Sequence, residues 1–269
     1  MEPLQISITV NLNGLRGELQ RSLQRAIYLV ACGLRASEQI TGDTLRLPDE
    51  AFQMVYTNYL KWTDVEAKSE FSEWVLLNGF REVIESVSAF LESAHRVLSF
   101  WTVAEKQQGG VLITGADWNE TVNVGGNRFH RLGFPDKLSH LAKEHKIAIS
   151  EDEERRILSV NAARNCLVHR NGVVSDRDVT ENSELVVQWM RMALLLQNED
   201  GERELVIGQV VEKDSVVAIR NTVSEKRFPL GVQIRISVKE FSEIAWSIFL
   251  FGERIVAQIN EYGVQRGFV

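Results

Sequence analysis

Between Asn161 and Gly172 the chain reads Asn-Ala-Ala-Arg-Asn-Cys-Leu-Val-His-Arg-Asn-Gly, and this run carries the side chains that phosphodiester chemistry needs. An imidazole can take up and return a proton near neutral pH. A guanidinium offers a planar fork to a phosphate and can stabilise charge that develops on it. An asparagine amide can orient either of them. Together these groups suit phosphodiester cleavage without a metal ion. On a helix each residue advances by about 100°, so with Asn161 at zero, Arg164 falls near about −60°, Asn165 near about +40° and His169 near about +80°. The four polar groups therefore share one arc, and Val160, Ala163 and Leu167 fall away from it. Asn165 and His169 are i, i+4 neighbours, and Arg164, at the margin, has the reach to fold over the arc. Val168, Ile157 and Leu158 also fall inside it. Such a mixed face suits a partner surface or a cleft better than open water. Spacing alone also allows a plainer reading, in which Arg164 and His169 make salt bridges or caps on a solvated helix face.

Other candidate groups are less persuasive. His140 and His145 are five residues apart, whereas four is the useful spacing for sharing a metal along one helix, so no metal site is expected there. His95 is expected as an interface or surface histidine. Arg128, His130 and Arg131 form a trio in a glycine-rich stretch, and a solvated loop accounts for them. The acidic run Glu151–Glu154 is what the first turn of a helix favours. Gly125-Gly126 lacks the lysine and hydroxyl residue of a phosphate-binding loop. Cys32 and Cys166 are expected as free buried thiols in a reducing compartment. No cofactor is expected.

Several elements must position the central run. Leu4–Leu12 alternates apolar and polar residues and predicts a strand, ended by Asn13-Gly14. From Leu15 to about Glu38 the spacing is helical, with Leu15, Leu19, Leu23, Ala26, Ile27 and Val30 on one side. Pro48-Asp49-Glu50 predicts a helix start, running to about Trp62. Glu66 to about Lys106 is the longest periodic stretch and predicts a long amphipathic helix, with Gly79 as a break or a close packing point. Gln107 to Phe134 reads as a long loop with a short hairpin, and helical signals resume from Pro135 to His145. Ser150, with Glu153 three residues on, predicts an N-cap for a helix that reaches about Arg170 and stops at Asn171-Gly172. A further helix is expected from Glu184 to about Gln197. Strands are expected at Leu205–Ile207, Ser215–Ile219 and Val232–Val238, and a last helix from Glu240 to about Asn260.

With 269 residues, 44% hydrophobic and 25% charged, the chain has the composition of a globular protein. Its four prolines permit long helices. The formal net charge of −7 argues against a binder that is basic all over, though a local basic cleft remains compatible with it. No apolar run approaches the roughly 20 residues that span a bilayer, and Met1-Glu2-Pro3 does not open a secretory signal. A cytoplasmic location and no membrane partner are the expectations.

The run from Ala163 to Gly172 resembles the R-x(4–6)-H signature of HEPN domains, the helical domains of many prokaryotic toxins and antiviral effectors. There a polar residue, often asparagine, follows the arginine, as Asn165 does here. The preceding long helix, Phe71 to Leu98, is also similar, and the likeness covers roughly Leu15 to Gln197. The resemblance implies a mainly α fold. It would be a HEPN-like bundle over 13–200. The strand-rich tail is not part of that family pattern, and the strand patterning read above predicts that 1–12 and 201–269 form a small β/α subdomain, with an antiparallel sheet from the N-terminal strand and the C-terminal region. The resemblance implies a metal-independent endoribonuclease, a homodimer whose two motif helices face each other, and RNA as substrate. Arg164, Asn165 and His169 are then the candidate catalytic residues, with Asn161 and Arg170 as candidate substrate-binding residues. An antitoxin or another defence-system protein is the partner class implied. A catalytically silent HEPN-like module for dimerisation or regulation stays open beside this, as does a small-molecule binder using Gln107–Gly133.

Overall fold

In a computed structural model of the chain, the described residues are 10–41, 62–106, 126–198, 201–205, 208, 211 and 216–268. They form a mainly helical protein with a small antiparallel sheet. Helix α1 spans Leu12–Ser37 and starts where the Asn11 side chain accepts a hydrogen bond from the Gly14 amide at 3.0 Å. Its buried residues Leu15, Leu19, Leu23, Ala26 and Val30 recur every three or four positions and form one core stripe. Leu12 thus belongs to a helix, which corrects the C-terminal end of the strand expected at Leu4–Leu12. The remainder of that strand before Val10, the helix expected from Pro48 and the hairpin expected after Gln107 lie outside the described residues.

Helix α2, Asp64–Lys106, has 43 residues and is about 64 Å long at 1.5 Å per residue. Thr63 and Glu66 start it with reciprocal bonds: the Thr63 amide and hydroxyl donate to Glu66 Oε2, and the Glu66 amide donates to Thr63 Oγ1. Phe80, Val83, Val87, Phe90, Leu91, Ala94, Leu98 and Trp101 on it are buried. Gly79 is a packing point rather than a break: a Cβ there would stand 2.1 Å from Val30 Cγ2 and 3.2 Å from Phe241 Cε2. Ala and larger residues are therefore excluded where three helices meet.

After the short α3, Gly126–His130, come α4, Phe134–His145, and α5, Glu151–His169. Ser150 caps α5 as expected, its side chain accepting from the Glu153 amide at 3.4 Å, with four acids in the first turn. Beyond α5, Asn171 and Gly172 take positive φ (53° and 77°), and the Gly172 amide bonds the Cys166 carbonyl. The carbonyls at the end of the helix are satisfied and the chain turns away.

Residues Glu184–Asn198 form strand β1, not the helix expected there. The run is rich in Leu, Met and Ala, which favour helices in isolation. Here it is the central strand of a sheet ordered β2-β1-β3, where β2 is Gly201–Glu204 and β3 is Val216–Pro229. Leu185, Val187 and Trp189 are buried, and so are Val186 and Leu196 of the opposite parity. Burial of both faces produces a near-continuous apolar run, a pattern that periodicity does not separate from a buried helix. The register pairs Glu184 with Pro229 through to Gln197 with Val216. The small sheet is therefore built from β1 and the two strands that follow it. The stretch Val232–Val238 also departs from expectation. Gln233 makes one isolated bridge to Val173, and Ser237 caps helix α6, Val238–Gln265, in a capping box with Glu240.

Helix α6 shares its core with α1 and α2. Gly252 of α6 meets Leu19 and Phe90, Phe241 meets Gly79, and Trp101 stacks on Tyr262. Residues from Leu15 to Ile259 belong to one continuous hydrophobic core. No helix among the described residues is long and apolar enough to cross a membrane.

Candidate functional site

The five candidate residues of α5 and its end are divided by their surroundings. Val160, Ala163 and Cys166 are buried, which fixes the inward side of the helix. Ser159 ties α5 to the sheet: the Gln188 amide donates to its hydroxyl at 2.8 Å, and that hydroxyl lies 3.3 Å from the Gln188 carbonyl. Arg164 and Asn165 are half-buried beside that side, and His169 is exposed. Arg164 Nη2 donates to Glu85 Oε1 of α2 at 2.6 Å, and Nη1 donates to Asn165 Oδ1 at 3.2 Å. His169 is exposed and makes no hydrogen bond or ion pair among the described residues.

Asn161 and Arg170 stand apart from these three. Asn161 is buried among the core residues of α5. Arg170 grips Asp178 with two hydrogen bonds, from Nε at 2.6 Å and from Nη2. Asp178 is buried and also accepts from the Ser175 amide and hydroxyl at 2.9 and 2.8 Å. Burial opposes the charge on Asp178, but the bonds from Arg170 and Ser175 outweigh it and hold its carboxyl below the usual range. Arg170 therefore anchors the turn after α5, and its guanidinium is committed within the chain. The structure brings Arg164 and Asn165 together, leaves His169 exposed one turn beyond Asn165, and places Asn161 and Arg170 in supporting positions. Ile157, expected on the outward arc, is in the core.

A second group of side chains meets where the sequence predicts none. His95 of α2 and His145 of α4 are buried, with His95 Nδ1 3.1 Å from His145 Nε2. His140 joins them, and ring nitrogens of the three lie within 4.8 Å of one another. The Phe129 ring stacks on His95 at 4.1 Å. Burial, followed by the neighbouring imidazoles His145 and His140, lowers the pKa of His95 to about 4. Burial and then His140 lower that of His145 to about 4, with Glu144 opposing. Beside the cluster, buried Lys137 donates to Glu92 at 2.6 Å and to Ser88 at 2.8 Å. His130 meets the other oxygen of Glu92 at 2.9 Å.

The expectation of no metal-compatible group around His140 and His145 followed one helix, and the third member comes from another. His95 sits in register with Leu91 and Leu98, and His145 with Leu138 and Leu141, all buried. Two histidines on core stripes were the legible signal. His95 is thus a core residue, which corrects its expected place at a surface or interface. Cys166 is buried, and burial pushes its thiol up to about 11. Cys32 is exposed, contrary to the expectation that both thiols are buried. Arg128, His130 and Arg131 are exposed.

Comparison with protein-family models, with curated proteins and with solved structures yields no match.

Proposed function

We propose that the chain is a metal-independent endoribonuclease of the HEPN type, acting as a cytoplasmic homodimer in a toxin or phage-defence setting. The observation that carries this reading is the outward face of α5. Arg164 is bonded to Asn165 there, and His169, one helical turn beyond Asn165, is exposed with no partner among the described residues. In the reaction, His169 assists removal of the proton from a ribose 2′-hydroxyl. The 2′-oxygen bonds to the adjacent phosphorus as the bond to the 5′-oxygen breaks. The leaving oxygen takes a proton, and the products are a 2′,3′-cyclic phosphate and a 5′-hydroxyl end. Arg164 holds the non-bridging oxygens and stabilises the charge that builds on them, while Asn165, already bonded to it, fixes the plane of the fork. A second copy facing the first across a two-fold axis supplies a second Arg164 and His169. An antitoxin or another defence-system protein that covers this face would restrain it.

The test is cleavage of RNA by purified protein in EDTA. Wild type is expected to cut and to leave cyclic phosphate ends, and His169→Ala is expected to be inactive while keeping its circular dichroism. Cleavage unchanged by His169→Ala overturns the reading.

The ion pair between Arg164 and Glu85 supports a second reading, a silent HEPN-like module for dimerisation or regulation, because it neutralises the guanidinium a phosphate would need. That reading expects a dimer without nuclease activity and with no salt-sensitive affinity for RNA.

A further inference from the structure

The three histidines come from two helices and converge at a largely buried place. Ten residues separate His95 from Glu85 along α2, a rise of about 15 Å, so the cluster lies well away from the point where Arg164 docks. The separation of 3.1 Å between His95 Nδ1 and His145 Nε2 is close to the edge of a tetrahedron of nitrogens around zinc, about 3.3 Å for bonds of about 2.0–2.1 Å. His145 is buried, and its Nδ1 has no hydrogen-bond partner among the described residues. His140, only half-buried, gives the cluster an edge toward solvent.

We propose that His95, His140 and His145 bind one divalent transition-metal ion of the zinc class, which joins α4 to α2. Imidazole nitrogens select zinc, cobalt, nickel or copper over magnesium and calcium, which prefer oxygen. Neutral imidazole is the form that ligates. Three imidazoles leave the fourth position of a tetrahedral ion to water or another ligand. Phe129, stacked on His95, and Ser99, whose hydroxyl lies 3.3–3.4 Å from the nitrogens of that ring, hold the His95 plane. Charge is nearly balanced at the border, since Lys137 is paired with Glu92. The ion would brace the fold and would take no part in cleavage at α5, so this site stands or falls independently of the ribonuclease reading.

The test uses the full chain stripped with chelator and titrated with Zn2+ and, separately, Co2+. One ion per chain is expected, with visible absorption of nitrogen-ligated cobalt that zinc displaces, and a melting temperature that rises with zinc concentration. X-ray absorption of the zinc-loaded wild type should show imidazole ligands at about 2.0–2.1 Å, a readout that needs no variant. His140→Ala removes the most exposed ligand and should weaken binding by more than the roughly 10- to 100-fold that loss of an outer partner costs. His130→Ala, which removes a neighbour outside the cluster, should leave affinity unchanged. Absence of saturable binding at one ion per chain overturns the proposal, as does absorption without imidazole ligands. Undiminished binding in folded His140→Ala also overturns it.

Discussion

The outward face of α5 and the histidine cluster use the same kind of side chain in opposite ways. His169 is exposed and without a partner among the described residues. His95 and His145 are buried and lie 3.1 Å from each other. At the first place an imidazole stays in water. At the second, burial drives both imidazoles to the neutral state and removes them from proton transfer near neutral pH. The difference is one of solvation rather than residue type. A histidine suited to acid–base work and one suited to ligation or packing are distinguished by what surrounds them. If the contrast holds, substitutions at the α5 face change activity and spare stability, whereas substitutions around the cluster do the reverse.

The largest expected effect is at His169. Loss of a general acid or base costs about 10²- to 10⁴-fold in rate, so His169→Ala should reduce cleavage by that factor and leave the melting temperature where it was. Arg164→Lys sharpens the same point: it keeps the charge and removes the fork, and should lose most of the rate. Comparable melting losses in both variants would break the contrast, because they would make the face structural.

Asp178 comes next, as the residue that holds the end of α5 in place. Its side chain is 1% exposed, and Asp178→Ala leaves Arg170 without its acceptor, at an expected cost of about 3 kcal/mol, the low end for a broken buried pair. The sign of the pH dependence follows from its lowered pKa. The folded carboxyl binds its proton more weakly than the unfolded one, so its contribution is complete above the unfolded value, near 3.9. The contribution is lost as pH falls through the folded value. Wild type should therefore lose part of its advantage over Asp178→Ala only below about pH 4, as chemical denaturation at several pH values will read.

Arg164, Asn165 and His169 fall within six consecutive residues on one helix, and a rotation of about 100° per residue sets Asn165 and His169 side by side with Arg164 at the margin of their arc. The same rotation put Val160 and Ala163 inside, where they are. Glu85 lies 79 residues away and Asp178 in a turn, and no local pattern names either as a partner. That is why Arg170 read as a free substrate contact although it is an anchor. β1 was missed for a related reason, since burial on both faces erases the alternation by which a strand is recognised. The cluster needed two elements at once: the spacing of His140 and His145 spoke against a shared ion, and only the packing of α4 against α2 brings in His95.

Around the cluster, Phe129→Leu keeps an apolar side chain but removes the ring stacked on His95. The change in shape and the lost aromatic contact should cost about 1–2 kcal/mol, with no effect on cleavage. A loss of cleavage with stability intact would couple the two regions and undo their separation.

The smallest effect, and the most discriminating, is expected at Glu85. Its side chain is 50% exposed and that of Arg164 24%, so the pair contributes less than about 1 kcal/mol to stability, and Glu85→Gln should melt close to wild type. Its effect on RNA is where the two functional readings part. In a nuclease, Arg164 must exchange Glu85 for a phosphate, and removing the competing charge should raise RNA affinity and cleavage a few-fold at low salt. That advantage should shrink as salt screens the site. In a silent module, the same substitution exposes a guanidinium that has no phosphate to hold, and neither affinity nor cleavage changes. A fall in cleavage with affinity unchanged would give Glu85 a third role, that of aligning Arg164 for the transition state rather than competing for it, and the Arg164–Glu85 ion pair would then count in favour of the enzyme.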